Sequence, residues 1–179
     1  FSYFDPEGGW HTYFPSTAAH NTVVADDESQ AIPGTGFRWN SRMRGRWLAR
    51  WVTSTFETWE GEHASYRRLP CKLLHRRAIV RIGEDLWVVV DDLLGRKTAQ
   101  LALYWHFADY PFTLRGRALL MDTEAGPVSL EVQGPGELQT FRGSLQPRLG
   151  WHSPTYATRL PSPTLRCRVE TTLPLRWVT

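Results

Sequence analysis

The side chains with the clearest capacity for chemistry in this sequence are its histidines. An imidazole titrates near neutral pH, so it can act as a base, as an acid or as a charged stabiliser. Serine-hydrolase, phosphate-loop, zinc-protease, CxxC and dinucleotide-binding motifs are absent from the sequence. The six histidines are His11, His20, His63, His75, His106 and His152. None has a second metal ligand at the usual spacing in the same short segment, so the sequence predicts no metal site.

Two of these histidines are candidates for a functional site. His20 lies in STAAHNTVV, where small residues leave space for a partner to approach and a β-type run follows. A hydrogen-bonded structural role at the start of a strand is the alternative for His20. His106 ends the apolar run before FADYP, which is also typical of a satisfied core imidazole. Asp91 and Asp92 are consecutive in a predicted strand and should point to opposite faces, which argues against a carboxylate acid/base pair.

The basic residues are almost all arginine. Only Lys72 and Lys97 are lysines among the 21 Lys and Arg residues, and the net charge is +3. Arginine grips carboxylate, sulfate or phosphate with two parallel hydrogen bonds, so an anion-binding face is one interpretation. A GC-rich coding sequence would give the same bias. No recognition-helix, zinc-finger or RNP pattern favours nucleic acid, and no apolar run of about 18 residues predicts a transmembrane helix.

The elements that must position these side chains are predicted to be β-strands. Runs rich in β-branched and aromatic residues alternate with Gly, Pro, Asp and Asn clusters, without a sustained helical period. The fold class is therefore predicted to be all-β, an antiparallel two-layer β-sandwich. The predicted strands cover residues 20–25, 46–57, 62–69, 73–82, 86–93, 98–107, 128–132, 165–171 and 173–178.

The clearest local prediction is a hairpin turning at residues 83–85. RAIVRI and LWVVVDD flank this three-residue loop, which begins with Gly83. Both strands should be central, and the continuous apolar run of LWVVVD predicts a strand covered on both faces. WLARWVTSTFETWEG alternates instead, which places Trp47, Trp51 and Trp59 on one face. Such indoles stack on sugar rings, although core packing is the commoner use of Trp.

The length of 179 residues suits a single domain, residues 1–179. The chain begins at Phe1 without the features of a secretory signal, so we expect a processed chain or a fragment of a longer enzyme. Cys71 and Cys167 are too few for a disulfide framework, and two buried thiols are expected.

Four segments occur in an order that is informative when they are taken together. They are YFPSTAAHNTVVADDESQ, GEHASYRRLPCKLLHRRAIVRIGEDLWVVVDDLLG, LALYWHF and GWHSPTYATRLPSPTL with a following TTLP. This set resembles the C-terminal β-sandwich domain of the heparinase II/III-like polysaccharide lyases and covers most of the chain. Pro15 departs from the family pattern, in which many members carry Arg just before the Ser-Thr pair.

The resemblance implies a reaction and a partner. The family's full enzyme resembles a helical α/α toroid followed by this sandwich, with an acidic, uronate-containing polysaccharide in the cleft between them. The reaction is β-elimination: a base removes the C5 proton beside the carboxylate, and the C4 glycosidic oxygen leaves. By resemblance His20 is the cleft histidine, whereas the Tyr acid/base and the group that neutralises the carboxylate belong to the toroid. The isolated chain is therefore predicted to be inactive.

The resemblance also implies binding residues. Asn21, Gln30 and His106 are the predicted contacts to substrate, although turn and strand-cap roles remain open for Asn21 and Gln30. Some relatives hold a structural metal, and His75 lies near one ligand position. Thr22 and its neighbours supply no partners for such an ion, so no cofactor is predicted.

Two other functions stay open. One is a noncatalytic carbohydrate-binding or structural domain in which His20 only packs, and the other is a scaffold for exopolysaccharide assembly. The family's substrates favour a periplasmic or secreted location and leave a cytoplasmic one open.

Overall fold

The computed structural model describes residues 5, 8–34, 38–41, 43 and 45–179. Nearly all regular structure in these residues is β-strand, with one short helix, α1 (Trp10–Tyr13), and two 3₁₀-helices, Thr17–Ala19 and Ser65–Arg68. The strands are β1 (Val23–Ala25), β2 (Gly45–Val52), β3 (Phe56–His63), β4 (Leu74–Ile82), β5 (Leu86–Leu94), β6 (Thr98–His106), β7 (Phe112–Arg115), β8 (Ala118–Thr123), β9 (Gly126–Glu131), β10 (Glu137–Arg142), β11 (Ser144–Leu145), β12 (Arg148–Leu149), β13 (Trp151–His152), β14 (Leu160–Pro161), β15 (Pro163–Thr172) and β16 (Leu175–Val178).

These strands form two large antiparallel sheets and several smaller ones. The five-stranded sheet has the order β16-β5-β4-β3-β2, and the four-stranded sheet has the order β1-β6-β15-β10. Strands β7-β8-β9 form a third sheet, and β11-β12 and β13-β14 are two-stranded ribbons. The predicted all-β, antiparallel sandwich is confirmed.

One apolar core joins the three larger sheets. It takes Leu93 and Trp177 from the five-stranded sheet, Leu103 and Leu165 from the four-stranded sheet, and Leu119 from the third. All five side chains are fully buried. Burying a leucine-sized side chain stabilises a fold by about 1.5–3 kcal/mol, so this cluster holds the layers together.

The hairpin predicted at residues 83–85 is present. Ile82 pairs with Leu86 across a three-residue loop, and Gly83 has a φ of 62°, a left-handed conformation that glycine adopts without strain. Strands β4 and β5 both lie inside the five-stranded sheet, as predicted. The prediction that LWVVVD is covered on both faces is wrong for its first residues. Leu86 and Trp87 point to opposite faces and are 54% and 51% exposed, so neither face is covered there.

The strand predicted over residues 46–57 is wrong, because this segment is a hairpin. Strand β2 ends at Val52 and β3 begins at Phe56. The Thr53 N–H donates to the Phe56 carbonyl at 2.9 Å, and the Phe56 N–H donates to the Thr53 hydroxyl at 3.0 Å. Threonine hydroxyls stabilise turns in this way, which allows the chain to reverse without Gly, Pro, Asn or Asp.

The predicted single face of indoles is also wrong. A register shift between Trp47 and Ala49 changes which side of the sheet the later β2 residues face. Trp47 pairs with Gly61 and Trp51 pairs with Thr58, so the two indoles lie on opposite faces. Trp47 therefore shares a face with Trp59, and Trp51 does not.

Several predicted boundaries also differ from the structure. The strand predicted over 62–69 is wrong, since β3 ends at His63 and a 3₁₀-helix occupies Ser65–Arg68. Strand β1 begins three residues later than predicted, at Val23, so His20 lies in a loop. The strands β7, β8 and β10 were not predicted.

Both cysteines are buried free thiols, as expected. No helix among the described residues is long and apolar enough to cross a bilayer.

Candidate functional site

A cavity of about 520 Å³ brings two of the predicted site residues together. Among the residues that the structure describes, those that line it are Pro15, Thr17, His20, Gln30, Ala31, Trp39, Ser41 and Met43. We call it the His20 cavity. It lies where the loop before β1 meets the segment that follows β1, so residues separated by ten positions in sequence face one space.

His20 is held in one orientation and one tautomer. It follows the 3₁₀-helix Thr17–Ala19, and its Nδ1 lies 2.7 Å from the Ser16 carbonyl oxygen. A carbonyl oxygen only accepts hydrogen bonds, so Nδ1 must carry the proton in this contact. The neutral ring then has its lone pair on Nε2, which is the arrangement that a general base requires.

The loop that carries His20 is clamped to the segment after β1. The Thr17 hydroxyl accepts from the Gln30 N–H at 2.8 Å, and the Thr17 N–H donates to the Ser29 hydroxyl at 3.2 Å. The Tyr66 hydroxyl donates to the Val23 carbonyl at 2.8 Å and anchors the following strand. These contacts fix Gln30 beside His20.

Asn21 and His106 form hydrogen bonds that hold the same loop. The Asn21 Oδ1 accepts from the His106 N–H at 2.7 Å. The His106 Nε2 donates to the Ala18 carbonyl at 3.0 Å, and its Nδ1 lies 2.9 Å from the Thr164 hydroxyl. Burial lowers the pKa of His106 to about 4, so its ring is neutral. Neither Asn21 nor His106 is among the described residues that line the His20 cavity, and their substrate-binding role stays a prediction.

Arg77 connects this loop to the five-stranded sheet. Its guanidinium donates to both carboxylate oxygens of Asp91, at 2.7 and 2.9 Å, and also to the Asn21 carbonyl. Asp91 is fully buried. Burial by itself raises the pKa of Asp91, but hydrogen bonds from His75 and Arg77 outweigh it and hold that pKa below its usual value. Asp92 points to the other face and pairs with Arg176.

A row of side chains continues from the buried Asp91 through the buried His75 to His63, which is half-buried. The His75 Nε2 lies 2.6 Å from the Asp91 Oδ1 and donates to it, because a carboxylate oxygen only accepts. The His63 Nε2 lies 3.2 Å from the His75 Nδ1, within hydrogen-bond distance. Burial, together with His75 and Arg77, lowers the pKa of His63 to about 4.

Among the described residues, no group of three His, Cys, Asp or Glu side chains could hold a metal ion. His75 uses both ring nitrogens in contacts with Asp91 and His63.

The sequence did not predict the row formed by Arg77, Asp91, His75 and His63. A signal for it was present, because Arg77 pairs with Asp91 and His75 with Leu93 once the hairpin at residues 83–85 sets the register. The arginines are also used differently from an open anion-binding face. Many of those described pair with the chain's own carboxylates, as in Arg46–Glu62, Arg50–Glu57, Arg76–Glu62, Arg142–Asp109, Arg168–Asp27 and Arg176–Asp92.

The chain is similar to known proteins both in sequence and in fold. The family model described as "Heparinase II/III-like, C-terminal" matches residues 1–175. No curated protein matches the sequence. Among solved structures, heparinase III is 13% identical to this chain, with a TM-score of 0.76. The matched region covers 99% of this chain and 26% of the heparinase III chain. The heparan sulfate lyase HepC from Pedobacter heparinus is 16% identical with a TM-score of 0.69, and covers 96% of this chain. The chain spans about a quarter of the length of both structures, at 26% each.

Proposed function

The chain belongs to the heparinase II/III-like family as a C-terminal domain, and we propose that it supplies the cleft histidine of a polysaccharide lyase. The observation that carries this proposal is the hydrogen bond from the His20 Nδ1 to the Ser16 carbonyl. That bond directs the unprotonated Nε2 of a neutral ring away from the Ser16 carbonyl, at the edge of the His20 cavity.

The reaction is β-elimination on a uronate. The base takes the proton from C5, the electron pair forms the C4–C5 double bond, and the bond from C4 to the glycosidic oxygen breaks. We assign the base to His20, with Nε2 accepting the C5 proton. The leaving oxygen receives a proton from an acid outside these residues, and the uronate carboxylate must be neutralised so that the C5 proton becomes acidic.

The neighbouring side chains divide into two groups in this proposal. Gln30 lines the cavity with His20, so it is placed to contact a sugar directly. Asn21 and His106 hydrogen-bond to each other and to the loop, and they would act mainly by holding His20 in position. The Arg77–Asp91 pair supports the loop from the five-stranded sheet.

The substrate class and the partner follow from the family. Structures with this fold carry the names heparinase III and heparan sulfate lyase, which favours an acidic, uronate-containing polysaccharide such as heparan sulfate. Those chains are about four times as long as this one, since this domain covers 26% of each. We therefore propose that an N-terminal helical toroid of the same polypeptide completes the cleft, and that these 179 residues alone have no appreciable lyase activity.

The test of the reaction type is the chemistry of the products. The complete polypeptide is incubated with heparan sulfate, and the digest is examined by ultraviolet absorbance and mass spectrometry. Elimination gives unsaturated oligosaccharides that absorb in the ultraviolet and contain no added water. Saturated products that have gained one water per cleaved bond would contradict the proposal, because they require hydrolysis.

A further inference from the structure

A second cavity adjoins the His20 cavity and shares Met43 with it. It has a volume of about 450 Å³ and lies against the five-stranded sheet, on the face that carries the core residues Leu93 and Trp177. We call it the Gly61 cavity. The side chains of this face that line it are Trp47, Trp59, His63, His75, Arg77 and Ile79.

The register of the sheet explains why this cavity exists. Gly61 pairs with Trp47 on β2 and with Arg77 on β4, so these three residues form one row across the sheet. The middle position of the row has no side chain. Trp59 and His63 lie two residues away on either side of Gly61 and point to the same face. The result is a hollow whose floor is the β3 backbone and whose walls are two indoles, an imidazole and a guanidinium.

The backbone does not require glycine at position 61. Gly61 has no positive φ, and a Cβ built there would meet only the Arg46 carbonyl oxygen, at 3.4 Å, which is an ordinary contact. Glycine in a strand interior weakens the strand and often marks a bulge, and the β2 bulge lies next to the Trp47–Gly61 pair. Glycine at this position also leaves the space above β3 open, because any larger side chain would occupy the hollow.

The walls of the hollow suit a sugar ring. Trp47 is 62% exposed and offers an open indole surface to a ligand. Trp59 is half-buried and stacks on Trp87, with 6.1 Å between the ring centroids, so it offers only the surface that Trp87 does not cover. Pyranose rings pack their C–H faces on such surfaces.

Among the described residues that line the cavity, Arg77 pairs with Asp91 and Arg46 pairs with Glu62. Burial lowers the pKa of His63 to about 4, so this ring is uncharged near neutral pH. Its volume is within the range of pockets that take small ligands.

We propose that the Gly61 cavity is a saccharide subsite that holds one pyranose unit of the polymer whose neighbouring part occupies the His20 cavity. The identity of that polymer rests on the proposed function. The subsite itself depends on the hollow over Gly61 and on its two indoles. Because Met43 lies between the two cavities, one chain of linked sugars would reach from one to the other across this residue.

The test is the affinity of this chain for a heparan sulfate hexasaccharide, measured by isothermal titration calorimetry. Gly61→Val fills the hollow with a side chain that suits a strand, and Trp47→Ala removes one exposed wall. Each variant should weaken binding by roughly tenfold, while the thermal midpoint of Gly61→Val stays at or above that of the wild type. Trp51→Ala is the matched control: Trp51 is on the same strand and 58% exposed, but it points to the opposite face and should leave the affinity unchanged.

Three outcomes would overturn the subsite. They are the absence of saturable binding by the wild type, equal affinity of the wild type and both cavity variants, and an equal loss in Trp51→Ala. If Gly61→Val does not fold, Trp47→Ala decides, since its side chain is exposed and carries little of the core. Failure of the proposed function is a separate result, since it would appear as unchanged turnover after removal of the His20 imidazole and not as a change in hexasaccharide affinity.

Discussion

Arg77 and Asp91 face each other across strands β4 and β5, and the arginine donates to both oxygens of the buried carboxylate, at 2.7 and 2.9 Å. The same guanidinium donates to the Asn21 carbonyl, next to His20. One ion pair thus joins the centre of the five-stranded sheet to the loop that carries the candidate base. Together with His75, this connection supplies the fully buried carboxylate with its hydrogen-bond donors.

Removing the Asp91 carboxylate should destabilise the domain strongly. Asp91→Ala leaves Arg77 and His75 without their acceptor, and an unpaired buried charge costs about 3–5 kcal/mol. The free energy of unfolding is measured by urea denaturation. Asp92→Ala is the control, because Asp92 pairs with the exposed Arg176 and should cost less than about 1 kcal/mol. Equal losses of unfolding free energy for the two variants would show that the buried pair stabilises the fold no more than the exposed pair does.

Stability should fall as the pH drops from about 6.5 to about 4. The pKa values of His63 and His106 are lowered from 6.5 to about 4, mainly by burial. His75 and Arg77 contribute to the lowered pKa of His63, and His20 contributes to that of His106. The unfolded chain therefore binds more protons than the folded chain in this window, and protonation favours unfolding. Each ring contributes at most about 3 kcal/mol to the loss.

The pH effect can be assigned with one substitution. His106→Gln keeps an amide donor for the Ala18 carbonyl and removes the titrating ring. Urea denaturation of this variant at pH 7 and pH 4.5 should give a smaller difference in unfolding free energy than the wild type gives. An unchanged difference would contradict this prediction. It would mean that His106 does not take up a proton on unfolding between these two pH values.

The Thr17 hydroxyl should matter for catalysis through the position of His20. It accepts from the Gln30 N–H, so Thr17→Val removes the clamp while it keeps the shape of the side chain. In the complete polypeptide we expect kcat to fall by about tenfold, which corresponds to about 1.4 kcal/mol of lost positioning. Thr17→Ser retains the hydroxyl and should keep most of the activity. A loss of activity in Thr17→Ser as large as in Thr17→Val would assign the effect to packing.

Both cysteine thiols should be unreactive in the folded protein. Cys71 and Cys167 are about 1% exposed, and burial raises the pKa of each thiol. A thiol reagent such as dithionitrobenzoate reacts with accessible thiolate, so it should label neither cysteine until a denaturant is added. Rapid labelling of the native protein would contradict the buried positions of these side chains.

The parts of the fold that follow local rules could be predicted from the sequence. The hairpin between β4 and β5 has a glycine in a short loop and β-type runs on both sides, so its position and register were predictable. The hairpin at Thr53 was not, because the alternating pattern continues through the turn and threonine hydroxyls replace the usual turn residues. The bulge between Trp47 and Ala49 also has no local signal, and it decides which indoles share a face.

The site was predictable only in part. The sequence placed His20 and Gln30 together through a family resemblance, and the His20 cavity contains both. The Gly61 cavity could not be predicted, since it depends on the pairing of three strands and on the bulge in β2. Contacts between distant segments, such as that between Arg77 and Asn21, are set by how the layers pack and leave no pattern in the sequence.

The most direct test of the central claim is the kcat of the complete polypeptide carrying His20→Ala, measured together with its affinity for a heparan sulfate hexasaccharide. We predict that kcat falls by roughly 10²–10⁴-fold, the usual contribution of a general base, while the affinity and the thermal midpoint stay close to those of the wild type. His11→Ala, at an exposed histidine outside the cavity, should leave kcat unchanged. Turnover by His20→Ala within a few-fold of the wild type would contradict the assignment of His20 as the base.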